Sequence, residues 1–544
     1  ELTKKLEFLA TPKDGKIQYI DKSVEPTAIS FFDPCMGSGH ILCYAFDIFM
    51  EIYRECGYTD REAVQLIIQN NLFGVDVDER AAQLAYFSVM MKARQYDRRF
   101  FSRAVAAQVY CPHKDKEGML KGSMMQVLAL PEKPDSTDEN TLYADEYYGE
   151  NGRWNFKRLL NRKYTIVCTN PPYLNRYNSD MKEFINQNYG DYASDLFSIF
   201  IYRNLLFCKD DGYCGYMTPN VWMFIKSYEK LREFIIENKD IVTLVQMAKG
   251  SFFKEATVDI CAFVLSNQKW GRKGLYIRLE NFKGNMEVQK QYTLEALQTP
   301  QCKYFYEQKV EEYRKIPLSP IAYWITEKQR ESFESKLLGE YAYPKQGFAT
   351  GANDVFLRLW HEVNCWKIGF SCNDREEAKE SGKKWFPCNK GGAYRKWYGN
   401  NDYIANWEND GFAMKSFNKS VIRNPQFYFN EGITWSSLSS GNLSMRYSPK
   451  GFIFESKGSV CFLKDKGNLY YILGLVNSKV VDELLLVLSP TLDYHEGPIS
   501  RIPVVYEQGR KEKIDTLVEC CVKECENDWD AFETSWDFKR HPLV

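Results

Sequence analysis

One apolar run of the sequence ends in the tetrapeptide Asn170-Pro171-Pro172-Tyr173. The lone pair of an exocyclic amine on a nucleobase is delocalised into the ring, so chemistry at that nitrogen needs hydrogen-bond acceptors. The Asn170 side-chain oxygen and the Pro171 carbonyl oxygen can both accept from such an amine. The two prolines stiffen the turn, and Tyr173 offers a face on which an extruded base can stack. The tetrapeptide therefore predicts catalysis on the amino group of a base.

A glycine turn upstream has the composition of a ligand site. An apolar run ends at Asp33, and Gly37-Ser38-Gly39 then leads into an amphipathic helical pattern. Glycines let the backbone approach a ligand closely, and the helix N-terminus adds partial positive charge. Such a turn is also typical of a tight strand-to-helix connection. The third glycine of the dinucleotide pattern is replaced by Leu42, and no phosphate-loop lysine follows.

A second acidic segment follows the next apolar run, at Asp76-Val77-Asp78. A carboxylate at the end of a strand can hold both ribose hydroxyls of an adenosine moiety, which we assign to Asp76, whereas Asp78 is placed to cap the following helix. The distance along the chain from Gly39 to Asp76 exceeds the roughly 20 residues of dinucleotide folds. The spacing therefore disfavours a nicotinamide cofactor.

The order of the patterns predicts an α/β fold followed by a β-rich part. Apolar runs alternate with helical patterns from Ala28 to Asn267, which indicates a parallel sheet. Expected strands are Ile29–Phe32, Leu72–Val75, Thr165–Thr169, Tyr213–Met217, Ile241–Gln246 and Asp259–Leu265, and expected helices include Ile41–Glu55, Glu79–Met91, Leu196–Phe207 and Ser227–Glu237. After about Phe333, short aromatic runs alternate with Gly, Asn and Ser turns, and helical spacing returns at 510–527.

Composition excludes several classes of protein. The chain has 544 residues and a net charge of −1, so no global basic field indicates nucleic acid binding. No run approaches the roughly 18 apolar residues of a membrane span. The 16 cysteines lack the spacing of a zinc site, so we expect reduced thiols and no metal. The chain starts without methionine, and we expect it to be an internal fragment of a longer protein.

The three motifs together resemble the γ-class N6-adenine DNA methyltransferases. The resemblance implies a Rossmann-like sheet and the cofactor S-adenosylmethionine, with Asn170, Pro171, Pro172 and Tyr173 as the catalytic loop. The implied cofactor-binding residues are Asp33, Gly37, Ser38, Gly39, Asp76, Val77, Ser123 and Asn170. Ser123 stands where the family usually carries an acidic residue after its third strand.

Two later segments match the same family. The segment that begins Ser194-Asp195 opens a helix after the catalytic loop, as the family's cofactor-covering segment does. The segment 251–258 contains the family's aromatic position against the other face of the target adenine. Counting back from the next strand favours Phe253 over Phe252, although a core aromatic pair would give the same pattern. Tyr173 and Phe253 are therefore the expected base-stacking residues.

Softer segments narrow the resemblance to the PglX group, the adenine methyltransferases of BREX phage-defence systems. These segments are 33–45, 191–200, 316–324 and 529–541. The segment 347–356 is similar to the entry of target-recognition domains in that group and in fused restriction–modification enzymes. The resemblance implies a methyltransferase domain over 1–330, a DNA target-recognition domain over 331–505, and the start of a helical region over 506–544. It also implies site-specific marking of host DNA, double-stranded DNA and other phage-defence proteins as partners, and a prokaryotic cytoplasmic location.

Local charge predicts where duplex DNA binds. Residues 381–470 contain 13 Lys/Arg and 6 Asp/Glu among 18 aromatic residues, whereas residues 1–330 contain 44 and 43. Basic side chains that neutralise phosphates drive DNA binding. The candidates are Lys345, Lys383, Lys384, Arg395, Lys396, Arg423, Arg446 and Lys450, although any one of them could belong to an ordinary solvated surface.

Three other functions fit parts of the sequence. A fused restriction–modification enzyme would add a nuclease, which could lie in residues upstream of this chain. A protein-glutamine methyltransferase also uses the Asn-Pro-Pro-Tyr loop, but the aromatic C-terminal half would then have no role. A catalytically inactive DNA-binding specificity factor is disfavoured because residues 170–173 are intact.

Overall fold

The computed structural model describes residues 2–17, 23–103, 105–112, 115–134, 147, 149–252, 258–438, 441–489, 493–541 and 543. The chain forms two compact units. The first comprises Glu1–Arg314 with Leu318–Trp324, and the second Lys315–Pro317 with Ile325–Val544. Within the described part of the chain, no helix has the length and apolar character needed to cross a membrane.

A nine-stranded sheet forms the centre of the first unit. Its strands are β1 (Phe31–Asp33), β2 (Leu72–Val75), β3 (Gln108–Tyr110), β4 (Tyr164–Thr169), β5 (Cys208–Pro219), β6 (Asp240–Gln246), β7 (Ile260–Ser266), β8 (Lys273–Arg278) and β9 (Phe305–Lys309). Their order in the sheet is β3-β2-β1-β4-β5-β7-β6-β8-β9. Strands β3, β2, β1, β4 and β5 are all parallel, so the carboxyl ends of these five strands share one edge. The mixed α/β class predicted from the sequence is confirmed.

The sequence predicts a parallel sheet, but the sheet in the structure is mixed. Strand β7 runs antiparallel to both β5 and β6, and β9 runs antiparallel to β8. A parallel neighbour needs a crossover connection, usually a helix, and the described residues between β6 and β7 contain none. The chain therefore turns back beside β6 and inserts β7 between β5 and β6.

Helices cover the sheet of the first unit. They are α1 (Leu2–Lys5), α2 (His40–Glu55), α3 (Asp60–Leu66), α4 (Glu79–Tyr96), α5 (Lys116–Lys121), α6 (Gly149–Leu160), α7 (Ser179–Tyr189), α8 (Leu196–Phe207), α9 (Glu229–Asn238) and α10 (Met286–Gln298). One apolar core packs against α2 and α4, and another packs against α6, α8 and α9. In the second core the rings of Phe32 and Tyr164 stack 4.3 Å apart. These two cores hold the carboxyl edge of the sheet in place.

The second unit contains two four-stranded sheets, ordered β10-β17-β14-β15 and β11-β13-β12-β16. The strands are β10 (Ala342–Lys345), β11 (Leu357–Leu359), β12 (Trp385–Asn389), β13 (Tyr403–Asn406), β14 (Gly432–Trp435), β15 (Met445–Ser448), β16 (Ile453–Phe454) and β17 (Val460–Leu463). The helices are α11 (Glu327–Glu331), α12 (Leu338–Tyr341), α13 (Asn353–Phe356), α14 (Arg375–Glu380), α15 (Glu408–Lys415), α16 (Leu469–Val476), α17 (Lys479–Leu488), α18 (Glu496–Ser500) and α19 (Lys511–Asp530). All strand pairs are antiparallel except β12 with β16.

Candidate active site

The parallel order β2-β1-β4 brings the three sequence motifs to one edge of the sheet. The glycine turn follows β1, Asp76 follows β2, and Asn170 follows β4. In α/β sheets, ligands bind at the carboxyl ends of the strands. Residues separated by more than 130 positions in the chain therefore line one region.

The glycine turn leaves open space in front of its backbone. Gly37 has a φ of +51°, and a Cβ added there would meet nothing within 4 Å. Gly39 has a φ of +82°, and its Cβ would lie 3.0 Å from the Cα of Ala85, so this glycine allows α2 to pack closely against α4. Helix α2 begins at His40 without a side-chain cap. Its first N–H groups have no partner within the helix and can bind a ligand.

Asp76 joins the end of β2 to the glycine turn. Its Oδ2 accepts a hydrogen bond from Gly37 N at 2.9 Å, and its Oδ1 accepts from Asp78 N at 2.9 Å. The side chain is partly exposed, and each carboxylate oxygen can accept a second bond. Val77 is 49% exposed beside it. The open turn, the free acceptor positions and the apolar neighbour fit the adenosine part of S-adenosylmethionine. Asp78 caps α4 by accepting from Arg80 N, as expected.

Asp33 lies behind the turn rather than in the ligand-facing position that the resemblance implied. Its side chain is 0% exposed, and Oδ1 accepts from Thr169 Oγ1 at 2.7 Å and from Cys35 N at 3.1 Å. Because Thr169 precedes Asn170, this carboxyl group links the glycine turn to the catalytic loop. Among the described residues, Asp33 Oδ2 has no hydrogen-bond partner.

The titration of Asp33 gives a pH-dependence that can be measured. Burial raises the pKa of Asp33 from 3.8 to about 7. Between these values the folded protein binds a proton that the unfolded chain does not, so the free energy of unfolding should fall as pH rises through this window. Asn at this position does not titrate and keeps the Oδ1 acceptor. We expect the stability of Asp33→Asn relative to wild type to increase with pH, as measured by urea unfolding between about pH 5 and pH 7. If the difference in stability between Asp33→Asn and wild type did not change with pH, the pKa of Asp33 would not be raised in the folded protein.

Ser123 also supports the glycine turn. It is 4% exposed, and its hydroxyl donates to the Pro34 carbonyl oxygen at 2.8 Å. This side chain therefore holds the backbone of the turn, and a contact between Ser123 and the cofactor stays a prediction.

The catalytic loop leaves β4 with Asn170 exposed and Pro171 buried. The Tyr173 hydroxyl donates to Asn170 Oδ1 at 3.0 Å and lies 3.2 Å from the Met217 carbonyl oxygen. Burial raises the pKa of Tyr173, so its hydroxyl remains a donor at neutral pH. This contact orients the Asn170 amide and leaves its oxygen one further acceptor position.

Asp195 holds the residue that follows the catalytic loop. Its Oδ1 accepts from Leu174 N at 2.9 Å and from Phe197 N at 3.3 Å, so it also caps α8. The ring of Phe197 meets Tyr173 edge-on, with centroids 6.2 Å apart. Residues 194–197, which resemble the family's cofactor-covering segment in sequence, therefore hold the catalytic loop in place. Phe253, the second expected base-stacking residue, lies outside the described residues, and its role stays a prediction.

The basic residues expected to bind DNA differ in their surroundings. Lys450 is exposed. The side chains of Lys345, Lys383, Lys384, Arg395, Lys396 and Arg423 are partly exposed. Arg395 forms an ion pair with Asp528 at 3.2 Å, and Lys396 donates to the Asn477 carbonyl oxygen at 2.6 Å.

Arg446 was predicted to bind DNA, which requires an exposed side chain, but the structure buries it. It is 1% exposed on β15, it donates to the Arg395 carbonyl oxygen, and burial lowers its pKa to about 10. Both faces of β15 are covered, since Met445 and Arg446 are both buried. We therefore exclude Arg446 from the expected phosphate contacts.

Sequence reasoning missed two polar residues that connect the motifs. Thr169 joins β4 to Asp33, and Arg203 on α8 donates to the turn that contains Ser123. The sequence could have indicated Arg203, because it is the single charged residue in the helix Leu196–Phe207.

Comparison with known proteins agrees with this geometry. Residues 70–253 match the Eco57I restriction-modification methylase family. The chain is 35% identical over 571 aligned residues to the adenine-specific methyltransferase PglX of Lacticaseibacillus casei (strain Zhang), covering 95% of the chain and 47% of that protein. It is 33% identical over 591 residues to the adenine-specific methyltransferase BrxX of Escherichia coli O9:H4 (strain HS), covering 96% and 47%. The chain is a relative of these adenine-specific methyltransferases. It spans about half the length of the two curated relatives.

A solved structure extends the likeness to both units. The Type IIL restriction-modification enzyme MmeI, determined in complex with DNA, superposes with a TM-score of 0.54 at 9% identity, covering 94% of this chain and 67% of MmeI. At this identity the likeness is one of fold.

Proposed function

We propose that this chain is the methyltransferase and target-recognition part of an S-adenosylmethionine-dependent DNA methyltransferase that modifies adenine N6 at a specific sequence. The observation that carries the proposal is the exposed Asn170 at the carboxyl end of β4, joined through Thr169 and Asp33 to the open glycine turn. The likeness to PglX and BrxX over 95% and 96% of the chain supports it. By the same likeness, we propose that the whole protein marks host DNA in a BREX-type phage-defence system in the bacterial cytoplasm, with other defence proteins as partners.

The residues of the site have separate tasks in this reaction. When bound, S-adenosylmethionine supplies a methyl group activated by its sulfonium. The Asn170 oxygen and the Pro171 carbonyl oxygen accept hydrogen bonds from the adenine amine and increase the electron density at its nitrogen. Tyr173 orients Asn170 through its hydroxyl and offers its ring to the base. Asp76, Val77 and the turn at 37–39 hold the cofactor.

The second unit supplies the contacts to duplex DNA in this proposal. MmeI, which shares the fold across both units, was determined in complex with DNA. We retain Lys345, Lys383, Lys384, Arg423 and Lys450 as phosphate contacts. Lys383, Arg395 and Lys396 must first be released from their present partners, which for Lys383 is the Trp366 carbonyl oxygen at 2.6 Å. Phosphate contacts fix orientation, and side chains at base edges give specificity.

Mass spectrometry of nucleosides tests the proposal. Unmethylated duplex DNA is incubated with the purified full-length protein and S-adenosylmethionine, and then hydrolysed. We expect N6-methyldeoxyadenosine as the product. Methyl groups found on protein glutamine instead of DNA would favour the glutamine methyltransferase and overturn the proposal.

The cofactor role of Asp76 can be tested by binding alone. We expect Asp76→Ala to weaken S-adenosylhomocysteine binding by about 1.5–3 kcal/mol, the range for a hydrogen bond to a charged group, which is roughly 10- to 150-fold in Kd. Calorimetric titration measures the Kd. Asp78→Ala is the matched control, because it removes the cap of α4 and should reduce stability while leaving affinity unchanged. Equal losses of affinity in the two variants would argue against the assignment.

A further inference from the structure

Helix α8 carries a buried arginine whose guanidinium is bonded to the main chain. Arg203 is 6% exposed; its Nε donates to the Ser123 carbonyl oxygen at 3.1 Å, and its Nη2 donates to the Met125 carbonyl oxygen at 2.7 Å. The guanidinium lies 4.1 Å from the centre of the Phe207 ring. Burial lowers the pKa of Arg203, which shows that its charge is held at a cost in solvation. The two hydrogen bonds to carbonyl oxygens offset part of this cost and tie the guanidinium to the main chain of one turn.

The two acceptors of Arg203 belong to the turn that supports the cofactor site. Ser123 in this turn donates its hydroxyl to the Pro34 carbonyl oxygen, directly ahead of the glycine turn. The Tyr189 hydroxyl donates to the Met124 carbonyl oxygen at 2.6 Å and holds the same turn from α7. Any displacement of the Ser123 turn is therefore transmitted to the backbone that faces the cofactor.

The other end of α8 is bonded to the catalytic loop. Asp195 accepts from Leu174 N, and Leu196 N donates to the Leu174 carbonyl oxygen at 2.9 Å. Leu174 follows Tyr173 directly. A single helix of 12 residues thus joins the catalytic loop at its N-terminus to the Ser123 turn about two turns later.

We propose that Arg203 is a positioning residue that fixes the Ser123 turn, and through it the glycine turn, relative to the catalytic loop. This inference depends on the proposed methyltransferase function. The planar guanidinium can reach both carbonyl oxygens at once, which a single ammonium group on a flexible stem does not reproduce. The geometry therefore requires arginine rather than a positive charge alone.

The test compares Arg203→Lys with Arg232→Lys. Arg232 is a matched control because it is 0% exposed in the same unit and also donates to main-chain carbonyl oxygens, those of Leu318, Trp222 and Ile225. None of those three residues belongs to the glycine turn, the Ser123 turn or the catalytic loop. Thermal unfolding measures stability, calorimetric titration gives the Kd for S-adenosylhomocysteine, and steady-state kinetics on DNA gives KM for the cofactor and kcat.

We expect both variants to lose stability. Only Arg203→Lys should bind S-adenosylhomocysteine more weakly than wild type, by about tenfold or more. Its KM for S-adenosylmethionine should rise in parallel, and saturating cofactor should restore kcat to within a few-fold of wild type. Wild-type affinity in Arg203→Lys, or an equal loss of affinity in both variants, would overturn the positioning role and leave the methyltransferase function standing. If the wild-type protein neither binds S-adenosylhomocysteine nor methylates DNA, the proposed function fails and this inference fails with it.

Discussion

Replacement of Asn170 by alanine is expected to reduce methyl transfer to DNA by on the order of 10³-fold, the size of effect seen when a positioned polar group is removed from a reacting centre. The Asn170 oxygen is the exposed acceptor at the end of β4, and alanine offers none. The affinity for S-adenosylhomocysteine should stay within a few-fold of wild type, because Asp76 and the glycine turn are unchanged. Transfer of a labelled methyl group to duplex DNA measures the first quantity, and calorimetric titration measures the second.

Asn178→Ala is the control for this experiment. Asn178 is exposed in the same connection between β4 and α7, and its side chain caps α7 by accepting from Met181 N at 2.9 Å. Its loss should affect the helix end and not the reaction. If Asn170→Ala retains activity within about tenfold of wild type, the assignment of the catalytic loop is wrong.

Exchange of residues 340–500 for those of a relative with a different recognition site is expected to transfer that relative's methylated motif. Both sheets of the second unit lie within this range, together with every basic residue that we retain as a phosphate contact. Base-edge contacts set specificity in protein–DNA complexes, so the segment that carries them should carry the motif. Sequencing with detection of modified bases identifies the motif of the hybrid.

The design of the hybrid must preserve the packing of the exchanged segment against the retained helix α19. A Cβ at Gly474 in α16 would lie 2.8 Å from a methyl carbon of Val518 in α19, so these helices pack closely. The relative should therefore also carry glycine at the position of Gly474. A folded, active hybrid that still methylates the original motif would place recognition outside residues 340–500.

Local pattern was sufficient for the elements that carry the motifs. Strand Leu72–Val75 and helix Leu196–Phe207 have the bounds that the sequence predicts. Strand β3 was missed because it has only three residues, and β8 was missed because Lys273 and Gly274 begin it. The edge strand β9 was missed because the second half of its sequence is polar. Hydrophobic periodicity detects a long buried run and fails on such segments.

Roles that depend on distant contacts could not be read from the sequence. Asp33 stands in the motif, yet its carboxyl group is bonded to Thr169, 136 positions away. The charge of Arg446 indicated an exposed residue, whereas its side chain is 1% exposed on β15, which is bonded to β14 on one edge and to Trp397 on the other. Packing of distant segments against the two faces of a strand decides which side chains are covered, and a short strand between polar turns carries no local sign of that packing.

The most direct test of the central claim is modified-base sequencing of DNA from a host without its own adenine methylation, with and without the full-length gene. Our account predicts N6-methyladenine at one defined sequence motif when the wild-type gene is expressed, and none at that motif when Asn170 is replaced by alanine. DNA that remains unmodified although the wild-type protein is folded and binds S-adenosylmethionine would contradict it.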